Sequence, residues 1–180
     1  MRWSKLKSRV ESQFAPAVVG HVELRDTWYR NTGQSMGRGW ITIDGQDVQS
    51  FSDATWWMGF YLRRRDLAES WDEAEVALHS AGVLSRNDFY EALYRSLEVS
   101  VNNALEDPNP IVRGLAMLDR RLGKRRLSSI ELPAAEHPFV QLMFSVRCDH
   151  EWFSNSQPNR GTTADLNPHS SGFGPVNSGR

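Results

Sequence analysis

Two features predict an α+β fold for this chain of 180 residues: strand patterns are confined to roughly residues 22–51, and helix-start signals recur from Ala54 onward. A small antiparallel sheet followed by about five or six helices satisfies both. The N-terminal stretch reads as a short helix, with Ser4 as its cap, Leu6, Val10 and Phe14 at helical spacing, and Pro16 and Gly20 as its stop. In the first strand Val22, Leu24 and Trp28 share one face, and Glu23, Arg25, Thr27 and Tyr29 share the other. A polar loop spans Asn31 to Gly37. Gly39 to Ile43 resumes a strand, Asp44-Gly45 is a two-residue hairpin signal, and Gln46 to Phe51 returns, which makes three antiparallel strands.

The remainder reads as helices. One runs from about Ala54 to Glu69. Ser70 with Glu73 forms a capping box for a second, which Gly82 ends. Ser85 with Asp88 repeats that start in the looser S-x-x-D form, and Phe89, Leu93, Leu97, Val101 and Leu105 make one stripe after it. Asn109-Pro110 opens a fourth helix as cap plus first-turn proline, with Gly123 closing it. His137-Pro138 opens the last, which runs to about Glu151.

Residues 1–153 are therefore expected to form one globular domain. From Ser154 the composition changes: 16 of the last 27 residues are Ser, Gly, Asn or Pro, too few apolar groups to offset ordering entropy. We expect 154–180 to be a flexible tail. No apolar run approaches the ~20 residues of a membrane helix, and no secretory signal is apparent, so no membrane partner is expected. A single Cys closes no intrachain disulfide, and a reducing cytoplasm is the simplest setting.

The net charge of −1 conceals alternating segments. Residues 1–30 carry +3, 31–60 carry −2, 61–110 carry −5, 111–127 carry +5, 128–153 carry −3 and the tail +1. The +5 segment is the most informative. At about 100° per residue, Ile111, Leu115, Leu118 and Leu122 gather on one side of a helix, while Arg113, Arg120 and Lys124 project opposite. Arg121, Arg125 and Arg126 broaden the positive patch. Read functionally, this is an anion-binding face; read plainly, it is the solvated side of an amphipathic helix. Pairing with the −5 segment that precedes it is a further possibility.

A second constellation lies on the sheet: Arg25, Tyr29, Arg30, Arg38 and Trp40. Guanidinium and aromatic groups together recognise anions, bases or protein surfaces. Alternatively Tyr29 packs under a helix and the arginines pair with Glu23, Asp26 or Asp44. Most of the seven tryptophans, Trp57 and Trp71 in particular, are expected in the core.

Catalytic and metal signals are poor. Cys148-x-His150 on a helix would point its side chains roughly 200° apart, so they do not converge, and no second Cys exists. No phosphate-binding or nucleophile-elbow motif is found, so no catalytic residue, metal or cofactor is assigned. The leading expectation is a non-catalytic binding or regulatory module whose basic helix face meets an acidic protein surface. Weak nucleic-acid binding through the same arginines is the second, although a pI near 6.5 argues against broad DNA affinity. An enzyme with a pocket on the Arg/Tyr/Trp sheet face is the third.

Met1 to Lys7, Gly37-Arg38-Gly39-Trp40-Ile41-Thr42-Ile43-Asp44-Gly45, and Asn109-Pro110 through Leu127, with His137-Pro138 and Arg147-Cys148, together resemble a bacterial family known by a locus-tag name and without an assigned function. The resemblance covers roughly residues 1–151 and implies a bacterial, cytoplasmic, single-domain protein. It carries no activity, ligand or active-site residue with it.

Overall fold

The computed structural model describes residues 1–29 and 36–153. It has the expected α+β architecture, with three strands in the order β1 (Val22–Tyr29), β2 (Met36–Ile43) and β3 (Gln46–Ser52), all antiparallel. Asp44 and Gly45 both take positive φ, +48° and +80°, as a two-residue hairpin turn matched to strand twist requires. Within the described residues the second strand already begins at Met36, because Tyr29 pairs with Met36 across the ladder.

One face of the sheet is covered and the other is open. Val22, Leu24, Ile41 and Phe51 are fully buried on the covered face, where Phe51 stacks on Phe89 with ring centroids 4.6 Å apart. Gly39 lies directly beneath that ring: a Cβ there would stand 2.4 Å from Phe89 Cδ1, so only glycine lets the helix approach so closely. Trp28, on the same alternation, is half exposed, because a polar group covers this end of the sheet. The Arg86 guanidinium lies 4.7 Å from the Trp28 ring and binds Asp26 at 2.6 Å, and the Tyr90 hydroxyl donates to the same carboxylate at 3.0 Å.

The helices are α1 (Trp3–Glu11), α2 (Asp53–Asp66), α3 (Trp71–Ser80), α4 (Arg86–Glu98), α5 (Val101–Leu105), α6 (Pro110–Leu118), α7 (Lys124–Leu127) and α8 (Pro138–Phe153). Both capping boxes form, at Ser70/Glu73 and Ser85/Asp88. The Asn109 cap with Pro110 in the first turn is present, and His137 Nδ1 accepts the Phe139 N–H at 3.2 Å. Ser4 does not cap α1; it sits inside the helix, and Arg2 occupies the cap position without a side-chain bond.

Two expected helices are each divided, which raises their number to eight among the described residues. The stripe from Phe89 to Leu105 breaks where Val99 is extended and the Ser100 hydroxyl caps a new helix by accepting from Asn103 N–H. The helix from Asn109 ends at Leu118 rather than at Gly123. Asp119 is extended, its carboxylate accepts the Arg121 N–H at 2.7 Å, and residues 13–15 bridge to it, with Ala15 N–H donating to the Leu118 carbonyl and Arg120 N–H to the Gln13 carbonyl, both at 2.8 Å. These bonds replace the next helical turn. Gly123 then starts α7 instead of closing α6.

The main core lies between the sheet and α1, α4, α6 and α8. In α6 every residue but Pro110 and Arg113 is buried, and Gly114 admits the Phe139 ring of α8, which a Cβ would meet at 2.3 Å. The α2–α3 pair has a small core of its own, made of Phe60, Ala74 and Leu78. No helix of the described residues is long and apolar enough to cross a membrane.

Candidate functional site

The turn after α6 divides the six cations of the basic segment into two groups. Arg113 is turned inward, away from the rest. It donates to the Asp107 carbonyl at 2.6 Å and pairs with Glu136 at 2.7 Å, tying the loop before α6 to the loop before α8. Burial pushes the Glu136 carboxyl up, but the bonds from Arg113 and the His137 N–H outweigh it and hold the group below the usual carboxylate range. Burial, with the Arg113 charge added, lowers the His137 imidazole and favours its neutral form.

The other five cations, Arg120, Arg121, Lys124, Arg125 and Arg126, are all exposed on the turn and α7. Leu122 and Leu127, both at 0% exposure, peg this seven-residue ridge to the core from below. Arg121 pairs with buried Asp119 at 2.7 Å, and that bond raises its already high pKa. Lys124 reaches buried Glu151 at 2.9 Å, a carboxylate shared with buried Arg147 at 3.0 Å. Arg126 donates to the side-chain carbonyl of Asn102. Among the described residues Arg120 and Arg125 have no ion pair or side-chain hydrogen bond. The anions that hold the ridge are thus Asp119 and Glu151; among the described residues no carboxylate of 61–107 pairs with it, and Asp107 binds Arg95 at 2.5 Å instead.

On the open face of the sheet, register sets Arg25 opposite Trp40 and Trp40 opposite Ser50. The Arg38 guanidinium lies 4.9 Å from the Trp40 ring centroid and also binds Asp47 at 2.7 Å, while Arg25 pairs with Glu23 at 2.5 Å. Tyr29 stands at the strand end and is half exposed. Arg25, Arg38 and Trp40 are therefore brought together, and each arginine is partly neutralised. Arg30 and the 154–180 tail lie outside the described residues.

The expectation that Trp57 and Trp71 belong to the core is overturned: they are 48% and 57% exposed. Seven of the twelve exposed large apolar residues among those described fall between Trp57 and Val76, on α2, on α3 and at Leu67 between them. Trp57, Tyr61, Arg64, Arg65 and Trp71 rim a concavity of about 340 Å³, with Arg64 over Trp71 and Arg65 over Tyr61. A signal for this was in the sequence. Six of the seven residues from Trp56 to Leu62 are apolar, and a helix flanked on one side only cannot bury its whole circumference.

A cleft of about 460 Å³ near the starts of α6 and α8 gathers His79, Asp88, Arg113 and His137, but none of the sheet arginines. Cys148 and His150 diverge, as their spacing predicts. Cys148 faces Leu127, Phe144 and Trp152, and burial pushes its thiol up, which disfavours the thiolate. His150 meets His21 and Asp44 instead.

The fold and these surfaces define a single-sheet α+β protein with exposed cationic and aromatic features. A family model, the SF0329 protein family, matches residues 2–148, and the chain belongs to that family. No curated protein and no solved structure matches it.

Proposed function

We propose that this protein is a non-catalytic binding module whose ridge from Arg120 to Arg126 contacts an acidic protein surface. One observation carries the reading: five exposed cations occupy seven residues, and two fully buried leucines hold their backbone in place. A backbone held this way has little conformational freedom left to lose on binding, so the ordering cost falls on the side chains. Asp119 and Glu151 offset Arg121 and Lys124, so Arg120, Arg125 and Arg126 supply the uncompensated charge. A protein partner is favoured over nucleic acid because the ridge carries no aromatic side chain for base stacking and the whole chain has a net charge of −1.

The test uses fluorescence anisotropy with a labelled poly-glutamate peptide, and a duplex DNA of equal length beside it. The peptide is expected to bind, to weaken steeply as salt rises, and to lose roughly tenfold or more in affinity on R120E/R125E, since close charge pairs across an interface are worth about 1.5 kcal/mol or more. Peptide binding indifferent to salt or to the double reversal would overturn the proposal. Tighter binding of the DNA, lost in the same variant, would transfer the ridge to nucleic acid. Neither exposed residue anchors the core, so the variant is expected to unfold within about 0.5 kcal/mol of the parent.

A further inference from the structure

Three groups of metal-ligand type converge at the hairpin end of the sheet. His21 immediately precedes β1, Asp44 is the first residue of the β2–β3 turn, and His150 lies near the end of α8. One nitrogen from each imidazole and one carboxylate oxygen all lie within 4.8 Å of one another. Within this group His21 Nδ1 is 2.6 Å from Asp44 Oδ1, His150 Nε2 is 3.9 Å from Asp44 Oδ2, and the two imidazole rings face each other with centroids 4.2 Å apart.

The backbone sets up this meeting. Val22 pairs with Ile43, which puts the flanking residues 21 and 44 opposite each other, and the Asp44 N–H donates to the His21 carbonyl at 2.8 Å. Gly20 at φ +84° turns the chain into His21, and Asp44 itself holds φ +48°. A non-glycine residue in that region is uncommon, and Asp tolerates it better than most. A neutral imidazole offers a cation the lone pair of one ring nitrogen.

We propose that His21, Asp44 and His150 form a binding site for a borderline divalent cation, with Zn²⁺ as its representative. Two imidazole nitrogens and one carboxylate oxygen match the N/O preference of Zn²⁺ and its neighbours rather than the all-oxygen shells of Mg²⁺ or Ca²⁺. The geometry needs small changes only. Ligands at about 2.0–2.1 Å from a tetrahedral ion stand roughly 3.3 Å from each other, so the His21–Asp44 pair opens slightly and the His150–Asp44 pair closes slightly. His21 and Asp44 are exposed enough to rotate that far. Three protein ligands leave a fourth position for water or for an exchangeable group.

The experiment titrates the full chain with ZnCl₂ by calorimetry, and with CoCl₂ while visible absorption is read. Wild type is expected to bind one equivalent of Zn²⁺, to develop the d–d bands of low-coordinate Co²⁺, and to melt at higher temperature with Zn²⁺ present. H150A and D44N are expected to lose affinity at least roughly tenfold, as even outer-shell losses do, together with the cobalt bands and the thermal shift. H79Q, in the separate cleft, is expected to retain all three. D44N keeps a residue that accepts the left-handed turn, so its loss of binding is not a loss of fold, and circular dichroism checks this. Absence of saturable Zn²⁺ binding, or equal binding by wild type, H21A and H150A, would overturn the site.

Discussion

The sheet with its covering helices and the α2–α3 pair are built from similar proportions of apolar side chains, yet they use them in opposite ways. In the former, Phe51, Phe89, Phe139, Leu93 and Ile111 are all essentially inaccessible, and glycines at 39 and 114 let rings approach the backbone. In the latter, only Phe60, Ala74 and Leu78 are buried, and Trp57, Met58, Tyr61, Leu67 and Trp71 stay in water. The difference lies in layering. A helix between two neighbours hides most of its girth, whereas a helix resting on one partner hides a stripe. A hairpin that keeps its aromatics outside is made to meet something or to carry a solubility cost.

Mutation should separate the two regions clearly. The largest effect is expected for F89A, which removes a ring stacked on Phe51 and lying over Gly39; it should lower unfolding free energy by about 3–5 kcal/mol in urea titration. An intermediate effect belongs to the polar lock at the sheet edge. Burial, then the Asp26 carboxylate, raises the Tyr90 hydroxyl to about 12 from its ordinary 10. The protonated phenol is the form the fold favours, so its contribution is complete below pH 10 and is lost as pH climbs from 10 toward 12. Thermal melts across that window should show a steeper decline for wild type than for Y90F; parallel declines would remove Tyr90 from the lock. The smallest effect on stability is expected for W57S/W71S, within about 1 kcal/mol, together with reduced binding of an apolar dye such as ANS. A loss comparable to that of F89A would erase the contrast between the regions.

Much of the architecture was legible in local chemistry. Asp44-Gly45 as a hairpin, the two capping boxes, and Asn109-Pro110 and His137-Pro138 as helix starts all depend on residues within a few positions of each other, and all are present. The two divided helices were not read because hydrophobic spacing continues through a turn: Leu122 and Val101 still face inward although the backbone has left the helix. The sheet constellation was half legible. Strand alternation placed Arg25 beside Trp40, but Arg38 is bonded to Asp47, a pairing that depends on the register across β3.

The chain's own pattern of caps, turns and alternation was enough to specify the sheet, the starts of α3, α4, α6 and α8 and the clustering of positive charge from 113 to 126, because those are short-range properties. Which cations remain free, which tryptophans stay wet, and whether His21, Asp44 and His150 ever meet were settled by packing. Each depends on groups that lie from six to well over a hundred residues apart: Arg113 on Asp107 and Glu136, Lys124 on Glu151, His21 on His150. Contacts at that separation follow from how layers stack and which helix ends early, and no periodicity in the linear order encodes them.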